Sequence, residues 1–219
     1  MPREIPPPQL VVFGAGGHAK VVADIAHLTG TRVVAFVDLV DPDRRGEIFM
    51  GAPIATDWES AIARLDSRTR PVLAIGSNAA REDLQRRLVL AGHPPVGLTH
   101  PSALVSSHAV VETGAVIGPR AVVNAAARIG AGAIVNSMSL VEHDCVVGPC
   151  AHIAPTASLA GAVTVGARTF IGLGARVRDR CRIGDDAVVG AGSVVVADVA
   201  AGLTVCGVPA RPLVRARAA

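Results

Sequence analysis

The chain has 219 residues, half of them apolar, enough to bury a sizeable core in one or two domains. With 23 Gly, one Trp, four Phe and no Tyr, it lacks the aromatics of an ordinary sandwich or barrel core and points to a regular fold of aliphatic and small residues. The formal net charge of +3 comes with neither a basic run nor interleaved aromatics, so nucleic-acid binding is not indicated.

Lys20 is the only lysine, and several arginines gather in the tail RPLVRARAA, where they either meet phosphates or are simply solvated. The opening MPREIPPPQL lacks the charged-then-apolar plan of a signal peptide, and no apolar run reaches membrane-spanning length. No membrane association is expected, and a cytoplasmic location is the default. Cys145, Cys150, Cys181 and Cys206 have no CxxC spacing, so neither a zinc knuckle nor a redox pair is expected.

Residues 9–100 read as alternating strand and helix. LVVFG is a short buried strand; HAKVVADIAHL puts Val21, Val22, Ile25 and Leu28 on one helical face before Gly30. RVVAFVD is a second strand. TDWESAIARL opens with Thr56 and Glu59 in capping-box spacing, PVLAIG is a third strand, and NAAREDLQRRLVLAG is a helix from Asn78 to a Gly92 cap. The order β-α-β-α-β-α-β predicts a small Rossmann-like parallel sheet with helices on its faces.

Within that first unit, Gly14, Gly16 and Ala19 stand in G-x-G-x-x-A spacing between a strand and a helix. The glycines permit close backbone approach, and the helix start presents free N–H groups to a phosphate. Asp38 ends the second strand, where a ribose-binding acid is expected. Fewer than a hundred residues supply one mononucleotide-sized half and no hydride-transfer domain, so a nucleotide-linked substrate fits better than a dinucleotide.

From Val105 to Val195 every sixth residue is Val, Ile or Leu, sixteen times in succession. Chance would produce this with odds on the order of 10⁻⁸. The position four after each is Ala, Ser, Cys, Thr or Val, and the position after each is often Gly or Asn. This is a hexapeptide-repeat β-helix. The small residue and the aliphatic two places later point inward, and the next few residues turn the corner, where Gly and Asn tolerate positive φ. Cys145 and Cys181 fill inward slots two coils apart, about 9–10 Å, too far for a disulfide.

In this frame the stretch VEHDC places Glu142, His143 and Asp144 at outward and corner positions, where core packing does not require them. A solvated polar corner is the structural alternative. His152 falls on the outward position of the next face, and Leu173 and Ala191 stack at one corner, eighteen residues apart. A His beside a carboxylate is the arrangement general-base chemistry needs, because the carboxylate orients the ring and raises its pKa.

The motifs FGAGGHAKVV, FVD, AIGSN, THPSALVS, VEHDCVVG, HIAP and GVPARP, in this order, resemble those of the bacterial PglD/NeuD-type hexapeptide-repeat acetyltransferases, which include nucleotide-linked aminosugar N-acetyltransferases. The resemblance covers nearly the whole chain. It implies a nucleotide-sugar-binding domain over 1–100 and a left-handed β-helix acetyltransferase domain with a C-terminal tail over 101–219. It further implies a homotrimer with acetyl-CoA between neighbouring subunits and no metal.

Carried over by motif, His143 is the general base and Asp144 the acid that increases its basicity, with Glu142 pointing elsewhere. His152, Leu173 and Ala191 contact acetyl-CoA. Gly14, Gly16, Gly17, His18, Asp38 and Gly76 bind the nucleotide-linked aminosugar. Leu39 follows Asp38 where many relatives have a second acid, which leaves the base open, and Ala191 stands where Gly is frequent.

The nearest competing expectation is a sugar O-acetyltransferase of the sialic-acid type, with the same fold and base. A nucleotidyltransferase needs a longer first domain and a Gly-rich motif ending in Thr-Arg. A zinc enzyme needs three converging His, and a non-catalytic scaffold would not bind acetyl-CoA.

Overall fold

The computed structural model describes residues 8–213; the tail arginines Arg215 and Arg217 lie outside the described residues. The chain divides into two compact units between Pro101 and Ser102.

The first unit is built on a five-stranded sheet. Its elements are β1 (Gln9–Phe13), α1 (Gly17–Leu28), β2 (Arg32–Val37), β3 (Ile48–Phe49), β4 (Ala52–Ala55), α2 (Trp58–Ile62), β5 (Thr69–Leu73) and α3 (Asn78–Leu90), with sheet order β3-β4-β2-β1-β5. Strands β4, β2, β1 and β5 run parallel, and β3 pairs antiparallel with β4. The central β1 is buried from Leu10 to Phe13, as a strand covered on both faces must be. Helix α1 buries Ala19, Val22, Ile25 and Ala26 and ends where Gly30 takes φ 69°. Pro71 is tolerated in β5 because that strand is an edge.

Three details differ from the sequence reading. The fourth strand of this sheet does not follow α3; it is β4, inserted beside β2. Its hairpin with β3 turns through Met50 and Gly51 at φ 47° and 83°, the positive-φ pair a two-residue hairpin requires. The chain after α3 passes through Pro94 and Pro95, which have no N–H to give a ladder. Finally, α2 is capped by Asp57 rather than Thr56: its carboxylate accepts from Ser60 N (2.7 Å) and Ser60 Oγ (2.8 Å).

The second unit is a three-sided parallel β-helix. Face 1 stacks strands from Leu104–Val105 to Val194–Val195, face 2 from Val110–Val111 to Arg182–Ile183, and face 3 runs through Val116–Ile117, Ile134–Val135, His152–Ile153, Phe170–Ile171 and Val188–Val189. Each strand pairs with the one eighteen residues on, as Val123 with Val141 and Val141 with Leu159. From Ile117 onward the repeating aliphatics and the small residues two places before them form one buried column. Each fully buried Val, Ile or Leu contributes roughly 1.5–3 kcal/mol. The interior hydroxyls are satisfied: Ser139 Oγ donates to Asn136 O (2.6 Å) and Thr169 Oγ1 to Gly184 O (2.6 Å). Cys145 and Cys181 are free, buried thiols.

The left-handed residue of a corner is the third after the aliphatic: it is glycine at Gly114, Gly132, Gly174 and Gly192, whereas Arg120, Ala126, Met138, Asp144, Cys150, Thr156, Ala162, Arg168, Arg180 and Asp186 take φ between 51° and 61°. The glycine directly after serves a different need. A Cβ at Gly130 would lie 2.7 Å from Pro149 N, and one at Gly148 2.7 Å from Ala167 N. These glycines exist so that the next coil's backbone can approach.

Candidate functional site

In the first unit, Gly14, Gly16, Gly17, His18, Asp38 and Gly76 line one pocket of about 500 Å³ at the carboxyl ends of β1, β2 and β5. Crevices outside strand carboxyl ends are where open α/β sheets bind ligands. Gly14 has a backbone reason to be glycine: φ is 128°, and a Cβ would sit 2.5 Å from Ala74 O. At Gly16, Gly17 and Gly76 a Cβ would meet nothing within 4 Å. Gly16 caps α1 with no side-chain hydrogen bond and the first turn carries no acid, so no side chain of the cap or first turn competes for the N–H groups that a helix start leaves over. Val37, Leu39, Ala80 and Leu84 give the pocket an apolar side.

Burial, and then the nearby Arg81 cation, push the pKa of His18 from 6.5 down to about 4. At neutral pH it is an uncharged ring. Arg81 is itself buried and braces the loop bearing Gly76, donating to Ile75 O (2.8 Å) and Asn78 Oδ1 (2.8 Å).

Asp38 is held by three donors of its own chain. Its Oδ1 accepts from Val40 N (3.1 Å) and Asp41 N (3.2 Å), and its Oδ2 takes Arg44 Nη1 at 2.8 Å. Burial opposes ionisation, but these N–H donors and the guanidinium outweigh it and hold the carboxyl below the usual range. Arg44 also reaches Ala15 O on the glycine loop (3.1 Å). Its part is invisible in sequence, because nothing in DPDRRGE distinguishes Arg44 from Arg45.

In the second unit, His143 stands at the corner between faces 1 and 2. Its Nδ1 lies 2.8 Å from Asp144 Oδ2, and both side chains are 61% exposed. The Asp144 hydrogen bond raises the pKa of His143, with further charge support from Asp144 and Glu142. Glu142 turns aside: its Oε2 accepts from Asn124 Nδ2 (2.9 Å) and from His143 N (3.3 Å). The corner is pinned between coils by Asp144 N to Ala125 O (3.1 Å) and Ala162 N to His143 O (2.9 Å). Behind it, the Cys145 thiol donates to Ala160 O (3.1 Å), and burial pushes its pKa up, so it is packing rather than a nucleophile. With Nδ1–H given to Asp144, Nε2 carries the lone pair and can take a proton.

His152 is on face 3, opposite the His143 corner, not on the face that follows it. In a single chain its ring is nearly covered, 9% exposed, hydrogen-bonded to Asn136 (3.0 Å) and edge-on to Phe170 at 5.2 Å. Leu173 and Ala191 share the corner between faces 3 and 1, and Leu173 is 55% exposed. One chain therefore brings the six nucleotide-pocket residues together and His143 with Asp144. It does not bring His143 to His152, Leu173 or Ala191. Among the described residues, no group of three or more His, Cys, Asp or Glu side chains converges as metal ligands.

Residues 9–88 match the model of the PglD N-terminal domain family. Over 94% of this chain and 97% of the other, the structure is similar, at 37% identity and a TM-score of 0.89, to a His-to-Asn variant of perosamine N-acetyltransferase from Caulobacter crescentus in complex with CoA and GDP-perosamine. The chain belongs to the PglD-type family of hexapeptide-repeat acetyltransferases. The acetyltransferase domain of PglB from Neisseria gonorrhoeae FA1090, in complex with acetyl coenzyme A, is 35% identical over 94% of this chain and 100% of that one, with a TM-score of 0.87. A curated relative, the UDP-N-acetylbacillosamine N-acetyltransferase of Bacillus subtilis (strain 168), is 36% identical over 105 residues, 47% of each protein. The match thus spans less than half of that relative's length.

As in this PglD-type family, the prism is a left-handed parallel β-helix following an α/β domain. Sequence reasoning passed over three residues of the site. Arg44 holds Asp38, and Asn124 holds Glu142 away from the ring. The third, Gly161, lies one coil beyond His143. The eighteen-residue period, applied to VEHDC, would have found Asn124 and Gly161.

Proposed function

We propose that this protein is an acetyl-CoA-dependent N-acetyltransferase acting on the amino group of a nucleotide-linked amino-deoxysugar, by direct transfer with His143 as general base. The observation that carries the reading is the 2.8 Å His143–Asp144 pair on an exposed corner, which engages Nδ1 and leaves Nε2 to take a proton. The ligands of the relatives, CoA with GDP-perosamine and acetyl coenzyme A, supply the two substrate classes. In this reading residues 1–100 recognise the nucleotide and residues 101–219 carry the acetyl chemistry.

The α1 start, with Gly16, Gly17 and His18, receives the diphosphate; the apolar side of the pocket takes the nucleoside, with Asp38 and Gly76 at its edge. The neutral sugar amine attacks the thioester carbonyl carbon and a C–N bond forms. His143 Nε2 takes the amine proton, and Asp144 stabilises the imidazolium. Backbone N–H groups or His152 stabilise the oxyanion. Collapse breaks the C–S bond, and the imidazolium returns its proton to the thiolate, leaving the amide and CoA. Holding both substrates in place supplies much of the acceleration.

The reading includes a homotrimer. His143 lies at the corner opposite the face that carries His152, and Leu173 and Ala191 occupy a third location. Only a neighbouring copy can bring a second prism's His152, Leu173 and Ala191 to the His143 corner, and acetyl-CoA would lie in that groove. Both substrates are cytoplasmic metabolites, so we assign the enzyme to the cytoplasm.

The test is acetyl-CoA with UDP-, GDP-, dTDP- and CMP-linked sugars bearing free amines, read by product mass. Gain of one acetyl group on one of these amines is expected. Acetylation of a sialic-acid-type hydroxyl with no amine acetylated would contradict it.

A further inference from the structure

Gly161 sits one coil beyond His143 at the same corner, since Leu140 pairs with Ser158 and Val141 with Leu159. Its φ lies outside the left-handed region, so its backbone does not demand glycine. It also differs from Gly130 and Gly148, where an added Cβ would strike the next coil's backbone. At Gly161 the three nearest atoms all belong to one side chain: His143 Cε1 at 2.7 Å, Nε2 at 2.8 Å and Nδ1 at 3.4 Å. The ring edge that bears the reactive nitrogen lies against a bare Cα.

From this we infer that Gly161 is a positioning residue for His143, kept without a side chain so that the imidazole can rest on it while holding Asp144. The inference rests on the reading of His143 as the base. A methyl group there must push the ring away by about 0.6–0.7 Å to reach ordinary contact at 3.4 Å. The ring can yield only by turning about its χ angles, which moves Nε2 and loosens the 2.8 Å bond from Nδ1 to Asp144. Misplacement of a reacting group by about 1 Å can cost on the order of 10²-fold in rate. The backbone bonds of this corner, Ala162 N to His143 O (2.9 Å) and Arg180 N to Gly161 O (3.0 Å), involve no atom that Ala would remove.

The experiment compares Gly161→Ala, His143→Ala and the double variant in the acetyl-CoA assay, with the His143 Cε1–H resonance titrated by NMR in the wild type and in Gly161→Ala. Gly161→Ala is expected to lower kcat about tenfold to a hundredfold with both KM values within about threefold, to move the His143 resonance and lower its titration midpoint, and to add less than about twofold in the His143→Ala background. An unmoved resonance and titration would overturn the inference even where the variant is too unstable to assay. So would a Gly161→Ala loss that persists undiminished without the ring. If His143→Ala lowers kcat and Gly161→Ala does not, the seat is wrong and the base stands. If His143→Ala itself leaves kcat intact, the base reading fails first.

Discussion

Asp144 reaches back to the residue directly before it: at φ 61° its carboxylate turns toward His143 Nδ1, 2.8 Å away. Consecutive residues on a strand would point to opposite faces. The left-handed corner is what lets this pair meet, and Asp and Asn are among the side chains that tolerate it.

Asp144→Asn keeps the corner conformation and an acceptor for Nδ1–H but removes the charge. Because the carboxylate raises the His143 pKa, its loss must lower it. The acid limb of the kcat/KM profile is expected to move to lower pH while the plateau falls, since a weaker base accepts the amine proton less readily. An acid limb left at its wild-type position would show that the two groups are uncoupled in catalysis.

Arg44→Ala frees the Asp38 carboxylate at the rim of the nucleotide pocket and removes the tie to Ala15 O. The expected result is about a tenfold rise in KM for the nucleotide sugar, or about 1.4 kcal/mol, with kcat and the KM for acetyl-CoA within about twofold of wild type. Steady-state kinetics with each substrate varied in turn checks it. A parallel rise in both KM values would remove Arg44 from the nucleotide site.

The two kinds of corner position separate on substitution. Gly148→Ala places a Cβ 2.7 Å from Ala167 N and should cost several kcal/mol, because backbone rather than a flexible side chain must give way. Ala126→Gly, at φ 60°, relieves left-handed strain of about 1 kcal/mol while raising the entropy of the unfolded chain by a similar amount, so stability should change by less than about 1 kcal/mol. Denaturant unfolding of the two variants measures both; equal losses would reverse the assignment.

His18 gives the first unit an acid-side weakness. The unfolded chain binds this proton near pH 6.5 and the folded one only near 4, so between those values the unfolded state holds more protons and stability falls as pH falls. The His18 contribution to this loss is on the order of 3 kcal/mol by pH 4. His18→Gln should flatten that part of a melting profile between pH 7 and 4, and an unchanged slope would mean the ring is protonated without cost.

Much of this architecture was readable in the chain because its signals are periodic. A six-residue repeat fixes the inward column from Ile117 to Val195 regardless of local propensity, and the glycine spacing at Gly14 and Gly16 identifies the pocket on one strand–helix junction. The β3–β4 hairpin was not readable, since GEIFMGAPIA holds two very short strands around a turn whose first residue is Met50 rather than the usual Asn, Asp or Gly. The two uses of the corner glycines are not separable in sequence for a related reason: positive φ, as at Gly132, and close approach, as at Gly130, both favour glycine. Arg44 acts through contacts between segments that only three-dimensional placement brings out, whereas the eighteen-residue period already leads from His143 to Gly161.

The most direct measurement is kcat for His143→Asn with acetyl-CoA and the aminosugar substrate found by the acceptor screen, alongside the dissociation constants of both. Loss of roughly 10²–10⁴-fold in kcat with both substrates still bound is the predicted result, whereas a change below about threefold with intact binding would contradict a proton-accepting role for this ring.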